Sequence, residues 1–204
     1  MSRAAHWLAV IVAFAGSGGA LAQERQQGDW PCRQIRVPTV ALASVWTGPP
    51  IDGLAARARE DAEVSDLVTR LSARRTPIET AQTQIADFAK GAGARRKERL
   101  TLLFAALFDR LDGERSEVVS GLDRYGRSQK EMAEDVRRAS TQLYELRDKA
   151  PNDAEKLHEA SEALNWRMRV FDERRRAVTY VCETPALIEQ RLGALARAIE
   201  AAME

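Results

Sequence analysis

The sequence predicts an all-α fold: an elongated antiparallel helical hairpin, coiled-coil-like, with a shorter N-terminal helix pair and an extended Trp/Pro arm. Three observations carry that reading. From Leu103 to Ala150, apolar residues recur by threes and fours, and only Glu114 and Gln129 break the stripe. Pro151 halts the stripe, and a second one of similar length follows. Ala, Arg, Leu and Glu, all good helix formers, are frequent throughout, with arginine outnumbering lysine 26 to 5.

The first 22 residues read as a signal peptide. Arg3 supplies a short positive start, Trp7 to Ala15 an apolar run, and Ala20-Leu21-Ala22 the small-x-small cleavage site. That run is too short for a bilayer, where about 20 residues are needed. Neither a twin arginine nor a lipoprotein cysteine accompanies it. The expectation is a periplasmic protein beginning at Gln23, with no transmembrane span after cleavage; an uncleaved anchor is the alternative.

Residues 23–51 form the arm. Trp30-Pro31-Cys32, Val37-Pro38 and Val45-Trp46-Thr47-Gly48-Pro49-Pro50 hold proline and glycine too densely for a helix. Ile35 and Val37 alternate with polar neighbours, but a lone strand has no partner, so extended coil packed on the helices is expected. Trp30 and Trp46 are its anchors and also the candidate partner-binding residues, since large aromatics bury much area.

The helical domain spans 52–204. Asp52 is a cap for a first helix running to about Arg75, with Leu54, Ala58, Leu67, Val68 and Leu71 on its buried side. Thr76-Pro77-Ile78-Glu79 starts the next, with Thr as cap, Pro at the first helical position and Glu at the third. Gly91 and Gly93 are placed to bend or interrupt it. A continuous helix from about Glu98 to Lys149 would be about 78 Å long. Its stripe has a mean spacing of about 3.67 residues up to Tyr125 and about 3.57 beyond it, so the seam runs straight and then turns gently left-handed. Asp123 with Arg127, Glu134 with Arg138 and Glu145 with Lys149 are spaced for solvent-side ion pairs.

Ala150-Pro151-Asn152-Asp153 makes the hairpin tip, with Asn152 as cap and Glu155 three residues later. Leu157, Ala160, Leu164, Met168, Phe171, Val178 and Cys182 carry the returning stripe, which turns polar at Arg174 and Arg175. Thr184-Pro185 marks a kink or restart before Ile188, Leu192, Leu195 and Ile199. With the tip at Pro151, Gln129 falls level with Glu173 and Arg174. Gln129, Arg174 and Arg175 are therefore a candidate polar layer in the seam, a device that fixes register. In the plainer alternative each polar residue sits on the seam's edge.

Cys32 and Cys182 are the only cysteines, and an even pair in an oxidising compartment points to a disulfide. Within one chain it would staple the arm to the late helices, bringing Trp30 and Pro31 near Ser120 and Gly121. Closing so long a loop contributes at most about 5 kcal/mol. A bridge between two chains and two free thiols are the alternatives.

Charge and motifs exclude more than they assign. The chain has 31 basic and 30 acidic residues, and Arg3 is the one charged side chain of the signal, so the remainder has no formal net charge. No overall field favours nucleic acid. Arg95-Arg96-Lys97 and Arg174-Arg175-Arg176 read as solvated helix faces. His158 is the one histidine outside the signal, so triad chemistry would rest on it alone. Glu155-Lys156-Leu157-His158 matches the Glu-x-x-His of di-iron bundles, which need two copies. His158 reads instead as a surface residue near the tip. No zinc cluster, haem motif or phosphate loop is present, so no metal, cofactor or enzymatic activity is expected.

The arm, Asp29-Trp30-Pro31-Cys32 with Val37-Pro38 and Val45-Trp46-Thr47-Gly48-Pro49, resembles uncharacterised exported helical proteins of proteobacteria. That resemblance implies export and a helical body, and no activity. Two function classes remain. One is a non-enzymatic periplasmic interaction protein (scaffold, adaptor or accessory subunit of an envelope complex), bound to a protein partner or to itself as a homo-oligomer. The other is a helical bundle that carries a small apolar ligand or shields a client as a chaperone. A large apolar cavity favours the second; a solid seam with an exposed aromatic favours the first.

Overall fold

The computed structural model describes residues 28–204; the signal peptide expected over 1–22 and the start of the arm lie outside them. Every regular element among the described residues is helical. The described part of the arm, 28–51, is coil with one 3-10 turn at Leu42–Ser44, as the prolines require, and contains no strand. Six α-helices follow: α1 (Leu54–Ala58), α2 (Ala62–Ser72), α3 (Ile78–Ala92), α4 (Arg96–Lys149), α5 (Ala154–Cys182) and α6 (Thr184–Met203).

The 54-residue α4 is the axis of the molecule, about 81 Å long. Helices α1, α2, α3 and α6 gather round its first part, and α5 runs back along the rest. Leu71, Ile85, Leu103, Phe104, Leu195 and Ile199 are fully enclosed in the bundle. Towards the tip, α4 and α5 have only each other. Leu143 is the one α4 residue beyond Gly126 that is buried, and α5 buries only Val178 and Cys182, at its far end. The architecture is thus a compact helical bundle with a projecting two-helix hairpin.

Several boundaries differ from the sequence expectation. The single helix expected from Asp52 to about Arg75 is split in two. Helix α1 opens from Gly53, whose φ of 71° suits glycine, and Asp52 does not cap it. Asp61 breaks the run because its extended backbone lets its carboxylate accept the Val64 N–H at 3.1 Å. Arg99 of α4 then donates to both carboxylate oxygens, at 3.2 and 2.9 Å. The Val64 amide and the Arg99 charge hold the Asp61 carboxyl below its ordinary pKa, so this contribution is present at neutral pH and fades as acid protonates it.

Thr76 does not cap α3. Its hydroxyl donates to the Arg70 carbonyl at 2.9 Å, and Pro77 takes the N-cap position. Gly93 does interrupt the helix, through a 3-10 turn over Gly93–Arg95. At the hairpin tip the cap is Asp153, not Asn152, and its side chain accepts the Lys156 N–H at 3.2 Å. Glu134 and Glu145 pair with Arg138 and Lys149 as spaced. Asp123 does not pair with Arg127, because Arg36 of the arm claims it with two parallel bonds, at 2.9 and 2.8 Å.

The hairpin turns at Pro151 in the expected register. Tyr125 meets Arg174, and Met132 and Val136 line one groove with Trp166 and Val170. Gly121 and Gly126 both lie within unbroken α4. Gly126 marks the place where the arm crosses the helix backbone, since a Cβ there would overlap the Asp29 carbonyl and sit 3.3 Å from Pro31 Cδ. Pro31 therefore docks more than a turn beyond the Ser120–Gly121 level expected, while Trp30 packs on the cluster that holds Leu122, close to that level. Gly126→Ala should lift the arm and cost roughly 1–3 kcal/mol by denaturant unfolding. Gly121→Ala, which faces nothing closer than Arg124 at 3.8 Å, should be neutral or stabilise by up to about 1 kcal/mol.

Candidate functional site

The arm is latched along α4, antiparallel to it, by contacts of every chemical kind. Lys130 reaches Asp29 at 2.5 Å, and the Trp30 indole donates to the Gln34 carbonyl at 2.7 Å. Cys32 is bonded to Cys182 within the chain, and the Gln34 amide donates to the Cys182 carbonyl. Trp30 and Cys32 pack on a small satellite core of Leu122, Val178 and Cys182. Further along, the Val40 N–H points to Asp112 at 3.4 Å, and Thr47 donates twice to Glu200, at 2.7 and 2.8 Å.

Trp46 ends the latch. It is 6% exposed and stacks on Phe104 with ring centroids 3.8 Å apart and planes 8° apart. Its indole donates to the Pro49 carbonyl at 2.8 Å, and Gly48 leaves the ring the space it occupies. A side chain so enclosed anchors the arm and is not available to a partner, which corrects its assignment as a partner-binding residue. Trp30 is half-buried in the same service.

Arg115 is the residue that sequence reasoning missed. It is 2% exposed, beside Glu114 in the stripe's first polar gap, and pairs with Glu189 of α6. Its guanidinium also donates to the Val37 and Pro38 carbonyls, at 2.8 and 3.2 Å. Carbonyls in a proline-rich coil have no ladder to join, and a buried fork of donors satisfies two of them at once. Glu114, the stripe's first break, pairs across the bundle with Arg74 at 3.3 Å. Arg115→Met should cost about 2–3 kcal/mol in unfolding free energy, since both carbonyls lose their donor, and Arg115→Lys should restore only part of it.

The polar level in the hairpin seam is real but differently built. Gln129 Nε2 donates to the Tyr125 hydroxyl at 3.1 Å, and that hydroxyl donates to the Arg174 backbone carbonyl at 2.5 Å. Burial pushes the Tyr125 phenol up in pKa, which keeps it a donor. The Arg174 and Arg175 side chains are exposed and make no hydrogen bond in the layer; Arg175 lies 3.6 Å from Asp172. Gln129 Oε1 is buried without a hydrogen-bond partner. Gln129→Leu removes that orphan acceptor, so the thermal midpoint should rise or change little, and the Tyr125 bond to Arg174 should persist.

Among several open grooves on the surface, two border the arm and the hairpin. One is an open groove of about 930 Å³ beside the disulfide, between the arm, α4 and α5. The other is a smaller groove of about 140 Å³ on the projecting hairpin, where Trp166 is 62% exposed. Arg169 lies over the Trp166 ring at 5.7 Å. His158 is exposed near the tip, away from both. Among the described residues no three His, Cys, Asp or Glu side chains gather to hold a metal. No family model, curated protein or solved structure matches the chain, so the roles of these residues rest on their geometry alone.

Proposed function

We propose that the protein is a non-enzymatic interaction protein of the periplasm: a scaffold, adaptor or accessory subunit of an envelope complex, exported with its signal removed after Ala22. The observation that carries this reading is Trp166. A large aromatic left 62% exposed, on a hairpin with a single packed seam, is a ready anchor for another protein surface. The internal disulfide fits an oxidising compartment, and no helix among the described residues is long and apolar enough to cross a membrane. The bundle end is held by enclosed side chains such as Phe104 and Leu107, which supports a structural body over a ligand-filled one.

A photo-cross-linking amino acid placed at position 166 in cells should give a discrete protein-sized adduct, and the same probe at exposed Glu79 should give none. An adduct of twice the chain's mass would identify a second copy as the partner. No adduct at 166, together with a native mass spectrum carrying a bound apolar small molecule, would favour the carrier or chaperone reading instead. Intact mass from an envelope fraction should begin at Gln23; a mass retaining Met1 would make the leader an anchor.

A further inference from the structure

We propose that the groove beside the disulfide receives an extended acidic segment of a partner protein, which deepens the interaction reading above and rests on it. Cations enter this groove from three separate elements: Arg33 from the arm, Lys130 from α4, and Arg175 and Arg176 from α5. Glu183 is the single acidic side chain among its lining residues. Lys130 is held by Asp29 at 2.5 Å and Arg175 lies 3.6 Å from Asp172. Among the described residues, no carboxylate lies within ion-pair distance of Arg33 or Arg176, and both are exposed. Four cations against one carboxylate, two of the four without an ion pair, make the groove's lining a local excess of positive charge that an anion would neutralise.

Size and floor narrow the anion. At about 930 Å³ the groove is near the upper end of ligand clefts and far larger than an inorganic ion needs. Its lining runs along α5 from Phe171 to Cys182, about 16 Å of helix, which matches about five residues of extended chain. Phe171, Val178 and Pro31 supply apolar surface between the cations. An extended chain presents alternate side chains to opposite sides, so acidic residues interleaved with apolar ones meet both surfaces at once. Several spaced carboxylates match cations that come from three separate elements, which a single phosphate does not.

The test uses the disulfide-bonded protein and an acetylated, amidated peptide of about six alternating Glu and Leu residues, followed by titration calorimetry. Binding is expected for this peptide, weakening as salt rises, and not for its Gln/Leu counterpart. Arg33→Glu combined with Arg176→Glu should reduce affinity by about tenfold or more, and the double Gln variant by less. Both side chains are exposed, so the variants should keep the parent's helicity and unfolding midpoint. Equal binding of the Gln/Leu peptide, or unchanged affinity in the charge-reversed variant, would overturn the proposal. Vesicles of phosphatidylglycerol that bind through the same two arginines, with no peptide binding, would overturn it in favour of a membrane surface. The cross-link at position 166 is read separately: an adduct there without peptide binding removes the groove assignment alone, and peptide binding without an adduct removes the hairpin anchor alone.

Discussion

Phe104→Ala should be among the most destabilising single substitutions in the molecule, costing about 3–5 kcal/mol. Phe104 is fully enclosed, stacked on Trp46 and tilted against Phe108 with centroids 6.1 Å apart. Truncation opens a cavity at the point where the arm, α4 and the bundle meet, and takes away the face on which Trp46 rests. Against a typical total of about 5–15 kcal/mol, that is a large share. Denaturant unfolding would give the free energy, and Trp46 emission in native conditions would report whether its ring has become wet. A loss below about 1 kcal/mol would show that neighbouring side chains collapse into the space and that the stacked pair is not what holds the arm.

Replacing Cys32 and Cys182 together by serine should cost about 2–5 kcal/mol. The bond closes a loop of sequence separation 150, so its removal frees the unfolded chain over most of its length. The loss should not be uniform. Trp30 and Cys32 cover the satellite core of Leu122, Val178 and Cys182, whereas Trp46 is held independently on Phe104. Protease should therefore cut the arm between Trp30 and Pro38 in the variant while the stretch around Trp46 stays protected. The unfolding midpoint with and without reductant gives the energy, and the cleavage map gives the place. An unchanged midpoint would mean that Arg36, Arg115 and Trp46 suffice to dock the arm.

The helical body was legible because its determinants are local. A stripe of fourteen positions spaced by threes and fours, stopped by Pro151, dictates a long helix and its return whatever else the chain does. Gln129 was legible for the same reason, as a polar residue at a seam position. What escaped were choices between local options decided by distant partners. The run expected to continue from Asp52 is broken at Asp61, which caps α2 with help from Arg99, 38 residues away. Asp123 had a neighbour at i+4, yet it bonds Arg36, 87 residues away, because a bidentate buried-edge pair outweighs an exposed one. Arg115 lies off the stripe, and nothing within several residues of it shows that the Val37 and Pro38 carbonyls would need its donors. Trp46 was recognised as an anchor, but whether an anchor faces inward or outward is settled by Phe104 and not by its own neighbours.

The antiparallel latch also orders events in time. The arm is synthesised before the partners that hold it: Trp46 waits for Phe104, Arg36 for Asp123, and Cys32 for Cys182, late in the chain. Such long-range contacts form slowly, because the loop between them must close before they yield anything. Until α4 and α5 have paired, the arm's tryptophans and its thiol stay uncovered while the chain emerges. The nascent protein therefore passes through an interval in which the arm's aromatic rings and its thiol are open to other partners, and completion of the hairpin ends that interval by shutting the arm against its side.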